Sequence, residues 1–177
     1  VVPVPYRPPI KVSASHRGDT IMATTRQPSQ HYVPALSKVY GGWEEFAYLL
    51  LRVAAGAILI PHGMQKLFGA FGGAGMGGFI GLLQKVGYPM PALWGWLIAL
   101  LEFGGGILLV IGLFTRPVAL AVLIFMLEAA RFHLGVGGFF WTARGNEYPL
   151  LFAVVALLLV IRGGGPYSVD ARMNKEF

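Results

Sequence analysis

The chain contains no cysteine. Disulfides, thiol nucleophiles, thiolate metal sites and CxxC redox relays are therefore excluded together. Any redox chemistry has to come from a bound cofactor or a partner subunit. Charge is also scarce. Charged types make up 12% of the 177 residues and hydrophobic types 55%, whereas a soluble domain carries about 25% charged residues. So few charges do not cover a water-facing surface, and lipid is the expected solvent for much of the chain. The 25 glycines agree with this, because glycine is more frequent in membrane helices than in soluble ones. The net charge is +6, but the basic residues stand singly between apolar runs. They form no stripe and have no interleaved aromatics. They read as topology signals, and nucleic acid is discounted as a partner.

Residues 1–42 are polar and proline-bearing, with no apolar run of signal-peptide length. They bury too little surface to order themselves and are expected to be flexible. Met22, ahead of "ATTRQ", is a candidate natural start. Four apolar runs follow: Trp43 to Leu67, Ala92 to Phe114, Pro117 to Gly135, and Tyr148 to Gly163. A membrane helix needs about 20 mostly apolar residues, in a range near 17–25. The second and third runs meet this. The first requires Arg52 to snorkel, and the fourth is short. Trp43, Trp94, Trp96, Trp141, Tyr40 and Tyr148 lie near run ends, where interfacial belts belong.

The expected fold is all-α: a four-transmembrane-helix bundle over residues 43–163, with a cytoplasmic tail over 164–177. The link "TRP" makes the second and third helices antiparallel neighbours. Four spans place both termini on one side. From Met22 onward that side holds Arg26, Lys38, Arg52, Arg116, Arg162, Arg172 and Lys175, and the other side holds Lys66, Lys85, Arg131 and Arg144. The excess places both termini in the cytoplasm of a bacterial inner membrane. Between the first two spans, Phe79, Leu82, Leu83 and Val86 recur at i, i+3, i+4 and i+7. That spacing predicts a short amphipathic helix in the interface, entered through a glycine hinge. Gly73, Gly75 and Gly78 match GxGxxG, but no strand precedes them, so a linker is the better reading.

An unpaired charge at the bilayer centre costs about 2.5–3.5 kcal/mol on insertion scales, so ionisable residues in spans face the bundle interior and find partners. On the first helix Arg52, Ala55, Leu59, His62 and Lys66 fall on one stripe. Pro61 and Gly63 are expected to break that helix and free backbone groups. Glu102 shares its face with Gly95, Gly105, Gly106 and Gly112, small residues that let another helix approach. It is expected to meet Lys66, Arg131 or Arg52. On the third helix Glu128 and Arg131 are i, i+3 partners, and His133 points elsewhere on the wheel. His62, Lys66, Glu128, Arg131 and Glu147 belong to the outer half. A polar pocket floored by Glu102 and open outward is geometrically possible.

Three further stretches carry a resemblance. "RVAAGAILIPHGMQKL" begins at Arg52, "EFGGGILLVIGLFTR" begins at Glu102, and "GGGPYSVD" ends at Asp170. In that order they resemble the DoxX family, also described as DoxX/DoxD-like integral membrane proteins. The resemblance implies a four-helix membrane bundle. Some members are subunits of thiosulfate:quinone oxidoreductase, others are tied to quinone or catechol stress, and another to a membrane redox complex. It therefore implies a membrane component of a quinone-linked redox system, and assigns no catalytic residues to this chain.

Three functions are consistent with these residues. A quinone-binding subunit or accessory of an oxidoreductase needs an apolar slot with polar donors. His62 and Lys66 are candidates to donate, Glu102 to relay protons and Arg131 to hold its charge. Electrons would then pass to a soluble or membrane redox partner. A small-molecule transporter or channel would use the same pocket, although no internal repeat is visible and four helices are few without oligomerisation. In a structural assembly subunit, the same charges only fix helix register. A haem between His62 and His133 is a weak reading, and no metal-ligand cluster such as HExxH is present.

Overall fold

The computed structural model describes Tyr40 and residues 42–175. The predicted flexible segment over 1–42 and the candidate start at Met22 fall outside the described residues, save for Tyr40 and Gly42. The described residues form helices joined by short turns and loops, without a strand. Helix α1 spans Glu44–Phe68. A 3-10 turn at Ala70–Gly72 leads into α2, Gly75–Lys85. Helix α3 runs over Pro91–Ile111, α4 over Thr115–Gly137, and α5 over Glu147–Arg162. A last short helix, α6, is Val169–Arg172. Three of these, α1, α3 and α4, are long and apolar enough to cross a membrane.

Local chemistry sets the helix ends. Gly69 ends α1 in the left-handed conformation, with φ 69°, and its N–H returns to the Met64 carbonyl. Pro91 opens α3, where its missing N–H costs nothing. Gly112, with φ 72°, closes the same helix, and the N–H groups of Gly112 and Leu113 both bond the Leu108 carbonyl. Contrary to the expected break, α1 runs unbroken through Pro61 and Gly63. Neighbouring helices stabilise a proline within a membrane helix. Glycine at 63 has a different purpose: a Cβ there would strike the Phe103 backbone of α3.

The helices form two closely packed pairs, α1 with α3 and α4 with α5. Glycines bring the first pair together. A Cβ on Gly56 would meet the Gly106 carbonyl, and one on Gly106 would meet the Gly56 carbonyl. The second pair meets through Ala119, Val122, Met126, Phe152, Ala153, Ala156 and Leu159, which join Ala55, Leu59 and Leu109 in one buried cluster. Large apolar side chains cover the outside, among them Leu50, Ile58, Leu97, Ile124, Leu151 and Ile161. Burial is thus small-residue packing inside and bulky side chains outside, the arrangement suited to a lipid solvent. Helix α2 packs on α1 and α3.

Candidate functional site

The polar residues of the bundle separate into two groups at opposite ends. At the end where α1 starts and α5 finishes, Arg52 is 1% exposed. Its Nη1 donates to the Leu109 carbonyl at 2.6 Å and the Val110 carbonyl at 2.9 Å, and its Nη2 to the Tyr167 carbonyl at 2.8 Å. Leu109 and Val110 lie in the last turn of α3, where carbonyls have few helical partners (Leu109 has only a long bond from the Gly112 N–H, 3.2 Å) and a cation is favoured. Asp170 completes the joint. Its carboxylate accepts the N–H groups of Phe114 and Thr115 at 2.8 and 2.9 Å, at the start of α4. The Asp170 N–H donates to the Gly112 carbonyl at 3.0 Å. Ser168 Oγ accepts from the Ala171 N–H and donates to the Gly165 carbonyl. Arg162 pairs with Glu45 and covers the Tyr48 ring at 4.2 Å, and the Tyr48 hydroxyl donates to the Gly163 carbonyl.

The joint explains much of the motif chemistry. Gly112 is glycine because a Cβ would collide with the Arg52 guanidinium and Ser168. Gly164 likewise leaves room for Ser168 and Thr115. Arg52 is committed to backbone carbonyls, so it is not the partner of Glu102.

The second group lines a cavity of about 660 Å³. Its walls come from α1, α2, α3, α4 and the start of α5, so it opens between the two helix pairs. Most of the lining is apolar, including Leu59, Phe79, Leu83, Phe125, Met126 and Phe132. Glu102 reaches it from α3 and is 4% exposed. It stands on a π-helical turn, Leu101–Gly105, which interrupts the regular spacing of α3. Such turns often mark functional positions. The Lys66 Nζ lies 2.6 Å from Glu102 Oε2, 5.2 Å from the centre of the Phe79 ring, and donates to the His62 carbonyl at 3.4 Å. His62 lines the same cavity.

Of the four candidate residues, His62, Lys66 and Glu102 come together around this cavity. Arg131 does not line it. Its guanidinium grips the Glu128 carboxylate, with Nε at 2.8 Å from Oε2, and 70% of its side chain is exposed. Glu128 itself does reach the cavity, and so do residues that the sequence did not assign to a pocket: Tyr88, and Arg144 and Tyr148, which it read as a topology signal and an interfacial aromatic. The Tyr88 hydroxyl donates to Glu128 Oε1 at 2.7 Å. Burial first, and then the Glu128 carboxylate, push the Tyr88 phenol above its ordinary pKa, which keeps it a donor. His133, which the helical wheel points away from Glu128 and Arg131, also lines the cavity and holds the Arg144 carbonyl at 2.7 Å. Spacing along a helix reveals i, i+3 pairs such as Glu128 and Arg131. It gives no signal for Tyr88 or Arg144, which reach the site from loops. Among the described residues, no three of His, Asp and Glu converge on a metal position.

A helical bundle with lipid-compatible flanks and an ion pair facing an apolar cavity defines an integral membrane protein. The particular family follows from comparison: the DoxX family matches residues 47–142, and the chain belongs to it. It is 28% identical to the inner membrane protein YphA of Escherichia coli over 75% of this chain and 94% of that protein. It is 31% identical to the inner membrane protein YqjF of the same organism, over 76% of this chain and 97% of that protein. A shorter match, 35% identical over 48% of this chain and 58% of the relative, is to the putative oxidoreductase CatD of Bacillus subtilis. No solved structure matches the chain.

Proposed function

We propose that this protein is a membrane subunit or accessory component of a quinone-linked redox system, and that its cavity holds the quinone. The observation carrying this reading is the Lys66–Glu102 ion pair at 2.6 Å, set at the wall of an apolar cavity of about 660 Å³. A quinone ring needs an apolar slot and donors for its carbonyl oxygens. The slot has Leu59, Phe79, Phe125 and Phe132 along it. Lys66 has three ammonium donors, more than Glu102 alone consumes, and the His62 ring is a second donor. A bound quinone supplies reversible two-electron, two-proton chemistry. The chain's own residues hold the ring, exclude water, and keep a carboxylate at Glu102 as a proton acceptor. The oxidoreductase name of the CatD relative agrees with this reading. Electrons would pass to a partner protein.

The membrane placement is part of the proposal. Helix α5 serves as a fourth span: its 16 residues reach about 24 Å at 1.5 Å per residue, and Leu151, Val154, Leu158 and Ile161 face outward for lipid. Helix α2 lies in the interface at the cavity end. Both termini lie in the cytoplasm, by the excess of Lys and Arg on their side, and the inner-membrane names of YphA and YqjF suggest the same membrane.

The test is purification of the full chain in mild detergent, mass spectrometry of co-purified lipids, and titration with a short-chain benzoquinone. Bound quinone, with affinity lowered at least tenfold in His62→Ala and Glu102→Gln, is the expected result. Unchanged affinity in both variants overturns the proposal.

A further inference from the structure

Helix α2 differs from the rest of the bundle in how it is held. Of its 11 residues only Leu83 is buried. At its end Gly87 caps the helix, and the Tyr88 N–H bonds the Leu83 carbonyl at 2.9 Å, which ties Tyr88 to α2. At its entry, Gly72 and Gly75 are in the left-handed conformation, with φ of 74° and 65°. Glycine passes between backbone regions with little steric resistance, so these positions are swivels. Its packing lies on α1 and α3. Gly95 of α3 leaves the space that Ile80 occupies. Yet α2 also supplies Phe79, Leu82, Leu83 and Lys85 to the cavity wall, facing residues from α4. The seam between α2 and α4 is crossed by Tyr88, just beyond α2, whose hydroxyl bonds Glu128 on α4. Arg131 grips both oxygens of that carboxylate, including the Oε1 that Tyr88 bonds.

We propose that α2 is a hinged cover over the cavity, latched by the Tyr88–Glu128 hydrogen bond, and that its release admits the ligand. This rests on the reading of the cavity as a quinone site. The cover swings on its entry glycines and carries Tyr88 with it, while α1 and α3 stay in place. Arg131 positions the latch by fixing the Glu128 carboxylate, which explains a bidentate pair at a largely exposed position, where an ion pair alone contributes little.

The cysteine-free chain makes the test direct. Ala129 lines the cavity from α4, so Ala129→Cys places the one thiol inside it. The rate of its reaction with N-ethylmaleimide, a small neutral reagent, is measured on the full chain in proteoliposomes. Adding Tyr88→Phe keeps the ring and its edge contact with Trp94 and removes the latch. The expected result is a rate raised about tenfold, the scale of one hydrogen bond to a charged group. Glu128→Gln raises it similarly, and the two together raise it no further, because they break one bond. Gly81→Ala, in open space on α2, leaves the rate unchanged. Equal rates with and without Tyr88→Phe overturn the latch. So do gains that multiply, or an equal gain in Gly81→Ala, since each means general loosening. The readout needs no quinone. A chain that binds none but shows the tenfold gain keeps the latch and loses the quinone reading. A chain that binds quinone at unchanged labelling rates does the reverse.

Discussion

Lys66 of α1 and Glu102 of α3 form an ion pair, with Nζ and Oε2 2.6 Å apart. It joins two helices whose backbones already touch at Gly63 and Phe103. The carboxylate is nearly enclosed and the ammonium about one-fifth exposed. Removing one partner of such a pair strands the other charge away from water, a cost of about 3–5 kcal/mol in buried pairs. Replacing both partners removes that penalty.

A double-mutant cycle on this pair tests whether it is a structural tie, a ligand group, or both. Lys66→Met and Glu102→Gln are each expected to lower stability in detergent by about 3 kcal/mol. The double variant should lose less than either alone. Additive losses would mean that the two charges do not interact. Quinone affinity is a separate readout, and it should stay low in the double variant even where stability returns. Recovery of both together would reduce the pair to architecture.

The joint at the other end predicts the opposite division. Arg52→Met removes the guanidinium donors of the Leu109, Val110 and Tyr167 carbonyls, and is expected to lower unfolding free energy by about 3 kcal/mol. Asp170→Ala uncovers two N–H groups at the start of α4 and should cost about 1–2 kcal/mol, the scale of a lost helix cap. Arg52 lies ten residues from His62 along α1, roughly 15 Å at the helical rise. The folded fraction of both variants should therefore bind quinone as the parent does. Thermal unfolding followed beside ligand titration separates the two. A loss of affinity without a loss of stability would place Arg52 in the ligand site.

The contrast between these ends also marks what the sequence made legible. Apolar run length located the helices, with ends close to Phe68, Ile111 and Arg162, because span length is a one-dimensional property. The shared face of His62 and Lys66 was legible for the same reason: it follows from helical pitch alone. The partner of Glu102 was not. Lys66, Arg131 and Arg52 were all sterically open to it until the Gly56–Gly106 crossing fixed how α1 and α3 meet. Arg52 found carbonyls in place of a carboxylate, since the end of α3 offers orphan acceptors that a charge count does not register. Pro61 read as a break because proline removes a helical hydrogen bond, while the packing that supports an unbroken α1 is tertiary. Tyr88 and Arg144 reach the cavity from loops, where no periodicity applies.

The crossing itself is the last feature open to test. A Cβ on Gly106 would lie 2.8 Å from the Gly56 carbonyl and 2.9 Å from Ile60 Cγ1. Two residues earlier, a Cβ on Gly104 would meet nothing within 4 Å. The two glycines sit on one helix and differ in what faces them. Gly106→Ala should overpack the α1–α3 contact and cost about 1–3 kcal/mol. Gly104→Ala should be neutral or stabilising by about 0.5–1 kcal/mol, because alanine loses less conformational freedom in a helix. Because the Lys66–Glu102 contact depends on the same crossing, Gly106→Ala should also weaken quinone binding, and Gly104→Ala should leave it intact. Unfolding in mixed detergent micelles reads the first effect, and titration reads the second. Equal behaviour of the two variants would mean that the helices do not touch at Gly106, and the alignment of Lys66 with Glu102 would need another cause.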